Sequence, residues 1–193
     1  MAENDRELVQ KCLAGDRRQF ESLVEQYQKP LYNSALRMTG NADDAADITQ
    51  TVFVKAWLSL GKYNPQYEFF SWIYRILVNE AVDCINDRKR TTDLPEDCIA
   101  DVDGPLEELS AKELEEVVDH ALGELNLTLR QVIVLRHFAH LSYEEIGYVL
   151  EIPEKTVKSR LFTARRQLGE LLTEKGFGSN DERSHSGTNQ QGD

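Results

Sequence analysis

The chain has 193 residues, of which 40% are hydrophobic, and a formal net charge of −12 at pH 7. This length suits one domain or two small ones, and the hydrophobic content is sufficient for packed cores. No apolar run approaches the roughly 20 residues that span a bilayer, and the polar, acidic beginning of the chain is unlike a signal peptide, so we expect a cytoplasmic protein.

The residue types that usually carry chemistry are sparse and scattered. The cysteines Cys12, Cys84 and Cys98 include no CxxC pair, which argues against a disulfide framework and against a zinc knuckle. His137 and His140 form a lone HxxH, which is more typical of packing or surface roles than of a metal site. We recognise no nucleophile–base pair and no phosphate-cradling glycine loop. We therefore expect no catalytic residues, cofactor, metal or small-molecule substrate.

Helical periodicity dominates the first part of the chain. A short amphipathic helix is predicted over about 6–13, ended by Gly15. In the longer helix that follows, Pro30 should produce a kink or a break, because it removes a backbone donor. A third helix is predicted over 42–60, with acids in its first turns. Its polar face presents Asp44, Asp47 and Gln50. This face is either a solvated charged surface or a docking surface for a basic partner, and periodicity alone does not decide between the two.

An aromatic, turn-rich stretch covers residues 63–72 and precedes a helix predicted over 72–90. Aromatic rings beside a basic element can stack on unpaired bases, each contact contributing roughly 1–3 kcal/mol. The alternative is that the aromatic stretch turns within the hydrophobic core and buries its rings there. We expect some rings to be buried and others exposed. Asn79 has low helix propensity and suggests a local break. The last turn of this helix contains Arg88, Lys89 and Arg90. Their positive charges interact favourably with the C-terminal end of the helix dipole and can also bind phosphate.

The negative charge is concentrated in one stretch. Eleven acidic side chains and a single basic one, Lys112, lie between Asp93 and Asp119. With Pro95, Gly104 and no apolar periodicity, the first part of this stretch is predicted to be a linker. The basic segments on either side therefore stay free to contact phosphate. Beyond it, Thr128 and Gln131 fit a capping box that opens a further helix.

Two helices joined by a tight turn are predicted between Leu141 and Leu172. Ser142 and Glu145 fit a capping box at the start of the first helix. Pro153 cannot continue that helix but suits the first turn of the next. This pattern is typical of a helix-turn-helix, whose second helix enters the major groove. Its buried stripe consists of apolar residues at intervals of three and four: Val157, Leu161, Ala164, Leu168 and Leu171.

The opposite side of this second helix is basic, and no acid interrupts it between Lys155 and Leu168. Such a face can contact phosphates and base edges. A surface helix with a solvated charged face is the alternative. The capping box, the short turn with proline and the one-sided charge together favour a DNA-binding helix. The basic face comprises Lys155, Lys158, Ser159, Phe162, Thr163, Arg165 and Arg166.

Taken together, these residues resemble a bacterial sigma factor of the extracytoplasmic-function (ECF) group of the sigma-70 family, from Gly15 to Leu172 apart from the linker. Family members commonly carry acids where this chain has Ala46 and Thr51. The segment that docks on the polymerase clamp is matched by Asp44, Ala45, Asp47, Gln50 and Phe53. The segment that melts the promoter and reads its minus-ten element is matched by Phe69, Trp72, Arg75, Ile76, Asn79 and Asp83. The segment that reads the minus-thirty-five element is matched by Leu125, Arg130, Arg136, 141–146 and 156–160.

The resemblance implies an all-α fold of two small helical domains. A region 2 domain is expected over 1–92, the acidic flexible linker over 93–111 and a region 4 domain with the helix-turn-helix over 112–175. The tail, 176–193, is polar and rich in Gly, Ser and Asn, and we expect it to be disordered.

The implied function is that of a non-enzymatic specificity subunit, which binds core RNA polymerase, reads two elements of promoter DNA and helps to open the duplex. Family members are usually inhibited by an anti-sigma protein, often membrane-bound. The resemblance assigns core docking to Asp44, Asp47, Gln50 and Phe53. It assigns the upstream element to Arg136, Tyr143, Glu144, Lys155, Thr156, Lys158, Ser159, Phe162, Arg165 and Arg166. It assigns the downstream element to Phe69, Trp72, Arg75, Asn79, Arg88, Lys89 and Arg90.

A stand-alone helix-turn-helix regulator is the competing class. Such a protein would bind its operator without polymerase, as a two-fold dimer on paired half-sites. The aromatic segment argues against it, as does the lack of an obvious ligand pocket or symmetric dimer helix in the sequence.

Overall fold

The computed structural model of the chain describes residues 2–91 and 111–177. Regular structure in these two ranges is entirely helical, which confirms the all-α prediction. The predicted acidic linker lies outside the described residues up to its last residue, Ala111. The predicted disordered tail also lies outside them, apart from Gly176 and Phe177.

Four helices make up the first described range. They are α1 (Ala2–Leu13), α2 (Arg18–Thr39), α3 (Ala42–Ser59) and α4 (Phe69–Thr91), with a 3-10 turn, Leu60–Lys62, after α3. Apolar faces of all four contribute to one core, which contains Leu23, Leu31, Val52, Ile73 and Leu77.

The predicted break at Asn79 is wrong, and of the two outcomes predicted at Pro30, a kink or a break, the structure excludes the break. Helix α2 continues through Pro30, and α4 continues through Asn79. Pro30 is exposed, so its ring faces away from the core. Tyr27 and Leu31 are buried on either side of Pro30, and their packing holds the helix together across the missing backbone donor. An asparagine inside a helix costs only a few tenths of a kcal/mol, about 0.7 at most, which the packing of α4 readily offsets.

The second range also consists of helices. It contains α5 (Ala111–Glu124), α6 (Leu127–Ile133), a π-helical turn (Val134–Phe138), α7 (Tyr143–Leu150) and α8 (Glu154–Glu174).

Helix α6 begins earlier than predicted. Its N-cap is Asn126, whose side-chain oxygen accepts from the Leu129 amide over 3.0 Å and from the Thr128 hydroxyl over 2.8 Å. The predicted Thr128–Gln131 capping box is therefore wrong. Gln131 is buried instead, with 6% of its surface exposed.

The helix-turn-helix is present as predicted. The Ser142 hydroxyl accepts from the Glu145 amide over 3.2 Å, and Glu145 Oε2 accepts from the Ser142 amide over 2.8 Å, completing the capping box. Helix α7 ends at Leu150, and its C-cap, Glu151, adopts the left-handed conformation with φ 54°. The predicted stripe of α8 is buried at Val157, Leu161 and Ala164 and partly buried farther along.

The two helical groups pack directly on one another. Helix α4 contacts α7, and α2 contacts α5, α6 and the π-helical turn. The buried side chains of both groups form a continuous cluster. This packing places the start of α4 beside the helix-turn-helix.

Candidate nucleic-acid interface

The basic face of α8 is exposed except at Thr163, which is half-buried. Lys155, Lys158, Ser159, Arg165 and Arg166 are exposed, and Phe162 leaves 73% of its surface accessible. This exposure follows from the burial of the opposite stripe, because residues three and four apart share one helical face. A large exposed apolar ring between cations is unusual on a free surface and suits contact with a base edge or a thymine methyl group.

Tyr143, at the start of α7, joins this face to the π-helical turn. Its ring centroid lies 5.1 Å from the Arg136 guanidinium and 5.7 Å from Lys158 Nζ. Arg136 is held by donating from Nη1 to the Leu141 carbonyl oxygen over 2.8 Å. A shallow groove of about 510 Å³ results, lined by Tyr143, Lys158, Leu161, Phe162, Arg165 and Arg166. Two further predicted residues of the upstream set lie outside the lining of this groove: Glu144 is exposed, and Thr156 is half-buried.

Two ion pairs on α8 involve cations of the basic face. Lys158 lies 2.6 Å from Glu154, and Arg166 lies 3.7 Å from Glu170, each pair spanning one helical turn. The hydrogen bond from Lys158 to Glu154 and the charge of Glu154 raise the pKa of the lysine. Exposed pairs of this kind contribute little to stability, so phosphates can displace the carboxylates.

His137 was not among the predicted site residues, yet it contacts one of them. Its Nε2 accepts from Arg165 Nε over 3.3 Å. Burial lowers the pKa of His137, and the nearby charges of Arg165, Arg136 and His140 lower it further. The lowered pKa favours the neutral imidazole, which can accept this hydrogen bond. The contact joins residues 28 positions apart, so no local pattern points to it.

The predicted downstream set divides into buried and exposed members. Phe69 is fully buried, and Trp72 exposes only 9% of its surface. The Phe69 ring packs on Tyr63 and Trp72, with centroids 5.8 and 5.5 Å away. Both rings therefore lie in the core beneath this surface, and their assignment to the downstream element stays a prediction. Tyr67, which was not in the set, is exposed.

The polar members of the downstream set lie along α4. Asn79, Lys89 and Arg90 are exposed, and Arg75 is half-buried. Arg88 lies 3.2 Å from Asp44. All of these residues belong to α4.

The predicted docking residues lie on α3, where they differ in accessibility. Asp47 and Gln50 are exposed. Asp44 is half-buried beside Arg88, and Phe53 packs edge-on against Phe20 with centroids 6.4 Å apart. Two exposed apolar side chains continue the surface along the helix: Val54 and Leu58.

Other kinds of site have no support in the part of the chain that the structure describes. There, no group of three or more His, Cys, Asp and Glu side chains is arranged to hold a metal ion. Among the helices of residues 2–91 and 111–177, none is long and apolar enough to cross a membrane.

An exposed basic helix within a helix-turn-helix defines the class to which this chain belongs, that of DNA-binding proteins. Comparison with known proteins agrees: residues 23–91 match the family Sigma-70 region 2, and residues 115–168 match Sigma-70, region 4. The chain belongs to the ECF group of the sigma-70 family of sigma factors.

Relatives cover nearly the full chain. The RNA polymerase sigma-H factor of Pseudomonas aeruginosa is 32% identical over 88% of this chain and 94% of its own length. The ECF RNA polymerase sigma-E factor of Escherichia coli K12 is 32% identical over 85% of this chain and 92% of its own length.

Solved structures share the fold. CnrH in complex with the cytosolic domain of CnrY is 28% identical with a TM-score of 0.70, covering 89% of this chain and 98% of CnrH. The sigma factor RpoE of Bartonella quintana, solved with the anti-sigma factor NepR, is 24% identical with a TM-score of 0.66, covering 80% and 96%.

Proposed function

We propose that this chain binds core RNA polymerase in the cytoplasm and directs it to promoters by reading an upstream and a downstream element. Polymerase performs the chemistry, and the chain itself is not an enzyme. The observation that carries the proposal is the exposed, one-sided basic face of α8 within a capped helix-turn-helix. Membership of the sigma factor family supports this function over that of a stand-alone regulator.

The upstream element is assigned to the groove around Tyr143. Arg165 and Arg166 can pair with phosphates or with the acceptor edge of guanine, and Phe162 can contact a thymine methyl group. Lys158 and Arg136 add charge on either side of the tyrosine ring. Phosphate contacts would fix the register of α8 and give an affinity that falls with salt.

The downstream element is assigned to α4. Asn79 is exposed and offers both a donor and an acceptor to an unpaired base. Arg75, Arg88, Lys89 and Arg90 supply positive charge along the same helix. Phe69 and Trp72 support this surface from the core. Capture of bases as the strands separate would help to open the duplex.

Core polymerase is assigned to the outer face of α3. Asp47 and Gln50 give it a polar part, while exposed Val54 and Leu58 give it an apolar part. This mixture of a small apolar area with a polar rim is the usual composition of a protein interface. An anti-sigma protein is the other expected partner, in keeping with the family.

The assignments are tested by separating the two surfaces. Lys158→Ala/Arg166→Ala should reduce promoter-dependent transcription while leaving the affinity for core polymerase unchanged. Asp47→Ala/Gln50→Ala should reduce the affinity for core polymerase and leave duplex binding by the isolated chain unchanged. Both pairs are exposed, so neither should unfold the chain. Equal loss of both activities in either variant would show that the surfaces are misplaced.

A further inference from the structure

The π-helical turn that follows α6 places an imidazole against the basic face of α8. His137 belongs to this turn, and its Nε2 accepts a hydrogen bond from Nε of Arg165 over 3.3 Å. Both residues are exposed, and Arg165 also lines the groove beside Tyr143. A residue outside the lining of the groove therefore contacts one of the cations that line it.

The cations that line the groove have different kinds of partner. Lys158 forms an ion pair with Glu154. Arg166 forms one with Glu170. Among the residues that the structure describes, no carboxylate pairs with Arg165. A carboxylate offsets the charge of its partner and has to be displaced by a phosphate, whereas a neutral imidazole can hold a guanidinium without offsetting its charge.

A hydrogen bond through Nε favours one orientation of the planar guanidinium and leaves its other donors available. The guanidinium carries several N–H donors, and His137 accepts from only one of them. Within the described ranges, no hydrogen bond engages the terminal nitrogens of Arg165, Nη1 and Nη2. These two nitrogens form the fork that binds phosphate oxygens in pairs. Arg165 is therefore held on one side and remains able to bind an anion on the other.

The position of Arg165 along α8 indicates which part of the DNA it would meet. The helix runs from Glu154 to Glu174, and Arg165 lies just past its middle. In a helix-turn-helix, the N-terminal residues of the second helix contact the base edges. At least half of the hydrogen bonds from proteins to DNA go to the backbone, and arginine is a common donor. A cation this far along the helix therefore suits a phosphate better than a base edge.

The contact requires a neutral imidazole, because a protonated one has no lone pair with which to accept. The charged and titratable groups that act on His137 are Arg165 of α8 and, in its own segment, Arg136 and His140. Partial burial, which has the largest effect, and these charges hold the pKa of His137 below its ordinary value of 6.5. The hydrogen bond is therefore available above that value and is lost as the pH falls through the lower, folded-state pKa.

We propose that His137 is a positioning residue for the upstream element: its neutral imidazole holds the Arg165 guanidinium in place to bind a backbone phosphate of duplex DNA, and protonation releases that guanidinium. Binding of the upstream duplex thereby depends on pH through a residue that need not touch DNA. The inference rests on the proposed function, since it assumes that α8 lies against duplex DNA.

The test measures binding of the full chain to a fluorescein-labelled duplex of mixed sequence at low salt, at about pH 8 and about pH 5. At the higher pH, His137→Ala should weaken binding by roughly threefold to tenfold. His137→Gln, whose side-chain oxygen can accept from Arg165, should bind like the wild type. In an Arg165→Ala background, His137→Ala should have no effect, because it acts through the arginine. Near the lower pH, this dependence on Arg165 should disappear.

His140→Asn is the matched control, because it removes a second exposed imidazole from the same segment. Asparagine tolerates the positive φ of this position, 58°. The control should bind like the wild type when circular dichroism shows that both are folded. An equal loss in His137→Ala and in the control would overturn the proposal. The same conclusion would follow if His137→Gln failed to restore binding, or if His137→Ala acted equally with and without Arg165.

Two further duplexes, one made only of A·T pairs and one rich in G·C pairs, separate a phosphate contact from a base contact. Equal losses on both would support the phosphate, because the backbone is common to every sequence. A loss confined to the G·C-rich duplex would assign Arg165 to guanine and overturn the phosphate contact, and so would a lack of duplex binding by the wild type. Promoter-specific transcription by the wild-type chain with core polymerase, measured in parallel, separates failure of this inference from failure of the proposed function.

Discussion

The helix-turn-helix depends on a close approach between α7 and the turn that follows it. A Cβ at Gly147 would lie 2.9 Å from the Ile152 carbonyl oxygen and 3.8 Å from the Glu154 amide nitrogen. The Ile152 amide also donates to the Gly147 carbonyl oxygen over 3.0 Å, which ties the turn to the helix. The Ile152 carbonyl is part of this hydrogen-bonded turn, so it cannot move away from an added Cβ as a flexible side chain could.

Gly147→Ala should therefore destabilise the chain. Overpacking typically costs about 1–3 kcal/mol, while alanine at a helical glycine otherwise stabilises by about 0.4–1 kcal/mol. The net expected loss in the free energy of unfolding is about 1–2 kcal/mol, or a fall in Tm of roughly 2–8 °C. Urea titration and a thermal scan, both followed by circular dichroism, measure it.

Gly169→Ala provides the matched control within the same helix-turn-helix. Gly169 lies in α8, and a Cβ there would meet nothing within 4 Å. This variant should gain up to about 1 kcal/mol from helix propensity alone. If Gly147→Ala were as stable as Gly169→Ala, the close approach of the turn to α7 would not exist, and the reasoning would fail.

Three further predictions concern the capping box and the basic face. Ser142→Ala should lower the free energy of unfolding by about 1 kcal/mol, measured by urea titration, because it removes the N-cap of α7. Burial alone would raise the pKa of Glu145, but hydrogen bonds from the Ser142 backbone and side chain and from Ser71 lower it overall. The carboxylate therefore stabilises the fold fully above its ordinary pKa of 4.5, and this contribution disappears as the pH falls through the folded-state value. The stability advantage of the wild type over Glu145→Gln should accordingly shrink below that pH; an advantage that grew in acid would contradict the assignment. In Lys158→Ala/Arg166→Ala, the salt dependence of duplex binding should become shallower by about 0.9 in logarithmic slope for each phosphate that the variant no longer neutralises, and an unchanged slope would place the phosphates elsewhere.

Features set by neighbouring residues are predictable from the sequence. The residues of the Ser142–Glu145 capping box and of the apolar stripe of α8 lie within a few positions of one another. The local sequence therefore predicts which of them make contact. Where two local signals compete, the sequence does not decide between them: Thr128 fits a cap, but Asn126, two residues earlier, is the one that the fold uses. The continuity of α2 is not predictable in the same way, because packing outweighs the propensity of a single proline.

Contacts between distant parts of the chain are not predictable from local patterns. Arg75 and Glu151 are 76 positions apart, and no spacing rule relates them. The burial of Phe69 and Trp72 likewise depends on the surrounding core. The sequence of an aromatic stretch is the same whether its rings are exposed to bases or buried in the interior. The residue types of the site and the helices that carry them can therefore be predicted from the sequence. Which of its side chains are exposed can be determined only from the folded structure.

The central claim is that this chain confers promoter specificity on core RNA polymerase. Its most direct test is run-off transcription with purified core polymerase, with and without the protein, on a pool of promoter fragments from the genome that encodes it. Specific transcripts that appear only when the protein is added are the expected result. Specific binding of duplex DNA by the isolated protein, with no effect on transcription by core polymerase, would contradict the account.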